Sequence, residues 1–277
     1  TVADQEGLRA HCRFEVAVRA LDFDAGAGRW TVSLEDGRIL TARVVVSAVG
    51  QLSEPFYPDI AGLDDFDGLV MHSARWDREV DLSGKQVAVI GNAASAIQLL
   101  PIVAEAAGHL TVFQRTPNWV ISKPDRAFTG LEKWAFRHVP GWRALYRLGS
   151  FLIHESRFSA FRSGSLAGRI TRWQLTRELK RKVADETLRA KLTPDYAPGC
   201  KRILLSNDYF ETLQRGDVQL VTEGVERVTD ESVVTGGGET VPVDAIILAT
   251  GFRATDFLST LQVTAPDGQT LREVWGR

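Results

Sequence analysis

Apolar and polar positions alternate along the chain in two rhythms, a period of two and a helical period, and the points of change mark its elements. Over residues 14 to 50 the segments FEVAVRAL, RWTVSL and ILTARVVVSAVG are β-branched or alternating, which predicts a β-meander with a hairpin turn at Asp36-Gly37. Val44 to Val49 is apolar nearly throughout and stops at Gly50, as a buried strand does when its end meets a ligand. Pro55, Pro58, Gly62 and Gly68 mark a turn-rich connection. From Lys85 to Arg115 the pattern is a short apolar strand (KQVAVIG), an amphipathic helix (SAIQLLPIVAEAAG, despite Pro101) and a second apolar strand (HLTVFQR). These make a βαβ unit with a right-handed crossover.

Residues 128 to 192 change to helical spacing, carried by Trp134, Phe136, Trp142, Leu145, Tyr146, Leu148, Phe151 and Leu152 and followed by one basic helix, LTRELKRKVADETLRAKL. Beyond them DVQLV, VERVT, SVVTGGGETV and Val243 to Leu248 return to β patterning, and the last runs into Ala249-Thr250-Gly251-Phe252. The expected fold class is α/β, with a helical insertion.

Composition narrows the function. The 277 residues are 44% apolar and 25% charged, and 33 basic against 35 acidic side chains leave a net charge of −2, which argues against a broad nucleic-acid surface. Cys12 and Cys200 lie far apart, in neither a redox CxxC nor a zinc spacing, so a reducing, cytoplasmic setting is expected. The most apolar helical stretch, Trp142 to Phe158, carries Arg143, Arg147, Glu155 and Arg157, too many charges for a membrane span.

Gly91-Asn92-Ala93-Ala94-Ser95-Ala96 occupies the place of a dinucleotide fingerprint, after a strand and opening a helix, where N–H groups receive a pyrophosphate. Ala93 replaces its second glycine. The same turn opens other doubly wound proteins. Arg115 follows Gly91 by 24 positions, at the end of the second strand and without a carboxylate nearby. A cation there suits the 2′-phosphate of NADP, although a solvated strand-end arginine is also common. Phe66-x-Gly68-x-x-x-His72-x-x-x-Trp76-Asp77 lies just upstream, and its composition alone reads as a linker anchored by Phe66 and Trp76.

FxGxxxHxxxW followed by Asp resembles the fingerprint of type I Baeyer-Villiger monooxygenases at every defined position. The surrounding SAVG, GNAASAIQ, VFQRTPNW, GCKR (199 to 202) and LATGF (248 to 252) resemble that family as well. The resemblance implies a two-dinucleotide-domain flavoprotein using FAD and NADPH, with a small carbonyl substrate and molecular oxygen as partners. It implies oxygen insertion next to the carbonyl through a C4a-peroxyflavin. Arg115, with Thr116, and Lys201 would grip the 2′-phosphate, Arg202 would be the active-site arginine, and His72 would couple domain motions. Gly50 and Thr250-Gly251-Phe252 would lie near the flavin.

That family also carries an N-terminal GxGxxG for FAD, which these residues lack, and LREVWGR ends where the family continues. The expectation is an internal piece of a longer enzyme, inactive by itself and leaving an apolar sheet face uncovered. Its parts would be 1–52 and 253–277 in the FAD domain, 53–115 and 201–252 in the NADP domain, and 116–200 as a helical subdomain. Two alternatives differ in class: an N- or S-oxygenating flavin monooxygenase, which usually lacks a tryptophan at position 76, and a non-catalytic NADP-binding module.

Overall fold

A computed structural model describes residues 1–123, 125–156, 165–256, 258 and 260–276. The described residues form two compact units, one made of Thr1–Glu54 with Phe252–Arg277 and the other of Pro55–Gly251.

The first unit opens with a short exposed helix, α1 (Val2–Gln5), and a three-residue-period turn at Leu8–His11. It continues with β1 (Val18–Asp24), β2 (Arg29–Leu34) and β3 (Ile39–Ala42), paired antiparallel in sequence order as the expected meander. Gly37 takes the left-handed φ of 83° that the Asp36-Gly37 turn needs. The expected strand at Val44–Val49 is absent. These residues join no ladder, and Val44 and Val46 are 74% and 83% exposed. Their apolar character records what the segment could bury, and only Val45 among its valines is half-buried.

The second unit is built on a five-stranded, wholly parallel sheet. Its strands are β4 (Leu69–His72), β5 (Gln86–Ile90), β6 (His109–Phe113), β9 (Val218–Val221) and β13 (Ala245–Leu248), in the order β4-β13-β5-β6-β9. Helix α2 (Ala96–Ala106) crosses from β5 to β6 and accommodates Pro101. Both faces of the sheet are buried, which is why its strands read as continuous apolar runs rather than alternating ones. Val87, Val89, Leu110, Val112 and Ile247 pack with Ile97, Leu100 and Val103 of α2. Ala88, Phe113, Ile246 and Leu248 face the other way, onto Leu63, Phe66, Val228, Val233 and Val241. The last three belong to an antiparallel sheet of β10 (Val225–Val228), β11 (Ser232–Thr235) and β12 (Thr240–Pro242).

The insertion between β6 and β9 contains β7 (Val120–Ile121), α3 (Gly130–His138), α4 (Trp142–Ser156), α5 (Leu166–Lys182), α6 (Glu186–Lys191), β8 (Leu204–Leu205) and α7 (Tyr209–Thr212). The single basic helix expected over 175–192 is two helices. Val183 leaves the helical conformation, and the Asp185 side chain accepts the Leu188 N–H to cap α6. Back in the first unit, β14 (Gln262–Thr264) pairs parallel with β1, and α8 (Leu271–Val274) follows.

Candidate functional site

Chain order along the parallel sheet reverses beside β5, whose neighbours are β13 on one side and β6 on the other. A crevice at the carboxyl ends of the strands, at such a reversal, is where open α/β sheets bind ligands. Gly91 sits there. Its φ is +109°, and a Cβ on it would lie 2.6 Å from the Ala249 carbonyl oxygen. The position therefore needs glycine to let β13 end alongside β5, before any ligand is considered.

Ala96, the third position of the motif, is fully buried and lets α2 pack tightly, whereas Ala93 is exposed. Helix α2 begins after Ser95 with no side-chain cap. The Ile97 and Gln98 N–H groups donate to the Ala93 and Ser95 carbonyls, so what an anion would meet is the turn of residues 91 to 96, with the helix dipole behind it.

Asn92 ties this turn to the end of β6. Its Nδ2 donates to Gln114 Oε1 (2.8 Å) and to the Thr116 carbonyl (2.9 Å), while its own carbonyl accepts from Asn118 Nδ2 (3.0 Å). Gln114 is fully buried. It receives the Tyr209 hydroxyl (3.2 Å) and donates through Nε2 to the Lys191 carbonyl at the end of α6 (2.9 Å). Burial pushes the Tyr209 phenol far above its ordinary value, so the group remains a donor. Gln114, Asn118 and Tyr209 are not among the residues that the motifs single out. The first two lie within VFQRTPNW, and a polar residue closing an otherwise apolar strand was the available signal; Tyr209 is brought in from 95 positions away.

Arg115 and Thr116 follow directly, Arg115 exposed and Thr116 half-buried. Pairing of β7 with β8 draws the GCKR segment to the same place, because the Leu204 N–H donates to the Trp119 carbonyl (2.8 Å). Lys201 Nζ lies 4.9 Å from the centre of the Tyr196 ring. Among the described residues Arg115, Lys201 and Arg202 form no ion pair, and all three are exposed. No cluster of metal-ligating side chains occurs among those residues.

The fingerprint divides into packing and exposed positions. Phe66 is buried, and a Cβ on Gly68 would lie 2.5 Å from the Asp244 carbonyl oxygen. His72 does not lie in an irregular linker: it closes strand β4 opposite Leu248. Trp76 is 39% exposed and lies beyond Ser73, where the chain leaves the sheet. Asp77 accepts the Glu79 N–H (2.9 Å) in a local turn. Thr250 Oγ1 donates to the Phe56 carbonyl (2.5 Å), and the Phe56 N–H donates to the Gly251 carbonyl (2.9 Å), which fixes the end of this unit. In the first unit, Gly50 is exposed with a φ of +77°, and Phe252 is half-buried.

The His72 ring is 1% exposed, with Nδ1 accepting the Ala74 N–H (3.1 Å) and Tyr57 against its face. Burial holds the imidazole below its ordinary 6.5; hydrogen bonding with the Gly251 backbone opposes this shift and Arg75 adds to it. The unfolded chain therefore takes up this proton more readily than the folded one, and stability is lost as pH falls through the ordinary value. Denaturation midpoints are expected to drop between about pH 7.5 and 5.5, and to drop less in His72→Gln. Parallel slopes for the two chains would show that another group is responsible.

Residues 2–265 match the flavin-binding monooxygenase-like family, and the chain belongs to it. A Baeyer-Villiger monooxygenase of Streptomyces coelicolor is 43% identical over 274 residues, which are 99% of this chain and 53% of that protein. Another, from Pseudomonas aeruginosa, is 39% identical over 257 residues, 93% of this chain and 49% of the relative. A crystallised steroid monooxygenase bound to NADP superposes with a TM-score of 0.82 at 31% identity, over 99% of this chain and 60% of the other. This chain thus spans about half the length of the curated relatives it matches. No described helix is long and apolar enough to cross a membrane.

Proposed function

We propose that these residues form the nucleotide-gripping part of an FAD- and NADPH-dependent monooxygenase of the cytoplasm that inserts oxygen next to a carbonyl, converting ketones to esters or lactones. Its partners are a small carbonyl compound and molecular oxygen, without nucleic acid. The observation that carries the reading is Arg115, exposed at the end of β6 and without an ion pair among the described residues, next to a backbone that Asn92 ties to the turn opening α2.

This donor set fits NADP. Gly91, Asn92, Ala93, Ser95 and Ala96 would receive the pyrophosphate at the helix start, while Arg115, Thr116 and Lys201 would take the 2′-phosphate. NADPH supplies a hydride when bound. The fit to FAD differs. In the first unit no described strand passes through a glycine turn into a helix, so the flavin diphosphate lacks its usual seat there. Gly50 and Thr250-Gly251-Phe252 are assigned only to the surroundings of the flavin. In domain terms 1–52 and 253–277 belong to the flavin domain, 53–115 and 201–252 to the NADP domain, and 116–200 to the helical subdomain.

The planar fork of donors on Arg202 suits an oxygen that gains negative charge as a carbonyl is attacked. The Baeyer-Villiger names of the relatives, together with Trp76-Asp77 and GCKR, favour carbonyl over amine oxidation. Offering the full-length protein cyclic and aryl ketones beside amines and thioethers tests this. Ester formation coupled to NADPH oxidation is expected, and N- or S-oxides without ester would overturn the assignment.

A further inference from the structure

Two cationic side chains can recognise one phosphate only if their separation is held, and Arg115 and Lys201 lie on different loops, both exposed. One residue touches both loops. The Tyr196 hydroxyl donates to the Pro117 carbonyl at 2.9 Å, two residues beyond Arg115, and the face of its ring lies under Lys201 Nζ at 4.9 Å. Its backbone is fixed in turn, because Trp119 Nε1 donates to the Tyr196 carbonyl at 3.0 Å and Trp119 is itself buried. Burial raises the phenol above its ordinary value, so the hydroxyl stays a donor.

We propose that Tyr196 is a positioning residue that sets the gap between Arg115 and Lys201, and that it thereby makes the site selective for a 2′-phosphorylated adenine nucleotide. The inference rests on the NADP reading above and deepens it. The hydroxyl holds the Arg115 loop and the ring orients Lys201, so the two contributions are separable by substitution. Phenylalanine keeps the ring and loses the link to Pro117; leucine loses both. Neither change removes a charge, so the general attraction of the site for anions is preserved.

The test uses the full-length protein and two probes that need neither flavin nor nicotinamide: adenosine 2′,5′-bisphosphate, and adenosine 5′-monophosphate, which lacks the 2′-phosphate. Affinities are measured by calorimetry for the unsubstituted protein, Tyr196→Phe, Tyr196→Leu and Arg115→Ala. Tyr196→Leu is expected to weaken the bisphosphate about tenfold and Tyr196→Phe about threefold, with the monophosphate changed less than about twofold in both. Equal weakening of both probes would mean a merely structural residue and overturn the inference. Full bisphosphate preference retained in Tyr196→Phe and Tyr196→Leu would overturn it too, while its loss in Arg115→Ala would leave the NADP reading intact. If the unsubstituted protein itself fails to prefer the bisphosphate, the NADP reading falls and the inference falls with it. Should the leucine variant not fold, the phenylalanine variant decides alone: a preference reduced about threefold supports the role, and an unchanged one refutes it.

Discussion

Replacing Gly91 by alanine is expected to cost about 3–5 kcal/mol and to leave the second unit largely unfolded under mild denaturant. Two independent effects combine. A φ of +109° is outside what an L-residue adopts readily, and the added carbon would meet the Ala249 carbonyl oxygen at 2.6 Å, well inside contact distance. That carbonyl cannot step aside, because the Ala249 N–H donates to Ile90 and continues the pairing of β13 with β5. Ala93→Gly, two residues on at an exposed position, should change stability by less than about 1 kcal/mol. Urea titrations of the three proteins measure both values. A Gly91→Ala midpoint within error of the parent would mean that the first glycine of the motif is kept for the ligand rather than for the sheet.

The second large effect concerns turnover. Arg202→Ala in the full-length protein is expected to reduce ester formation about 10²- to 10³-fold, the scale seen when a donor aimed at developing negative charge is removed. Affinity for adenosine 2′,5′-bisphosphate should be nearly unchanged, since that phosphate is assigned to Arg115 and Lys201. Arg202→Lys should recover only part of the activity, because a lysine restores the charge without the planar fork of donors. Product per NADPH oxidised is the informative ratio. If Arg202→Ala keeps its yield, the arginine has no part in the chemistry, whatever its neighbours do.

The parallel sheet and its glycine turn were legible because their causes are local. Buried strands are apolar throughout, α2 shows one apolar stripe, and Gly91 stands where the strand must turn. Val44–Val49 misled for the same reason: its residues have the character of a buried strand, but burial also requires a covering partner, which no local pattern encodes. The break at Val183 was readable in principle from Asp185 as a cap, and the run of good helix formers around it concealed that signal. Gln114, Tyr209 and Tyr196 matter through hydrogen bonds to residues 77 to 95 positions away, which spacing within a motif cannot reveal.

The pairing of β1 with β14 has a consequence for biosynthesis. Ala20 finds its partner at Gln262, after the whole of the second unit has been made. At ordinary elongation rates about 240 residues take roughly 10–50 s, so the free edge of β1 waits that long for β14. Pro55–Gly251, by contrast, contains all five strands of its own parallel sheet and can close as soon as β13 emerges. Of the two units, the one translated later can therefore close before the meander translated ahead of it has gained β14.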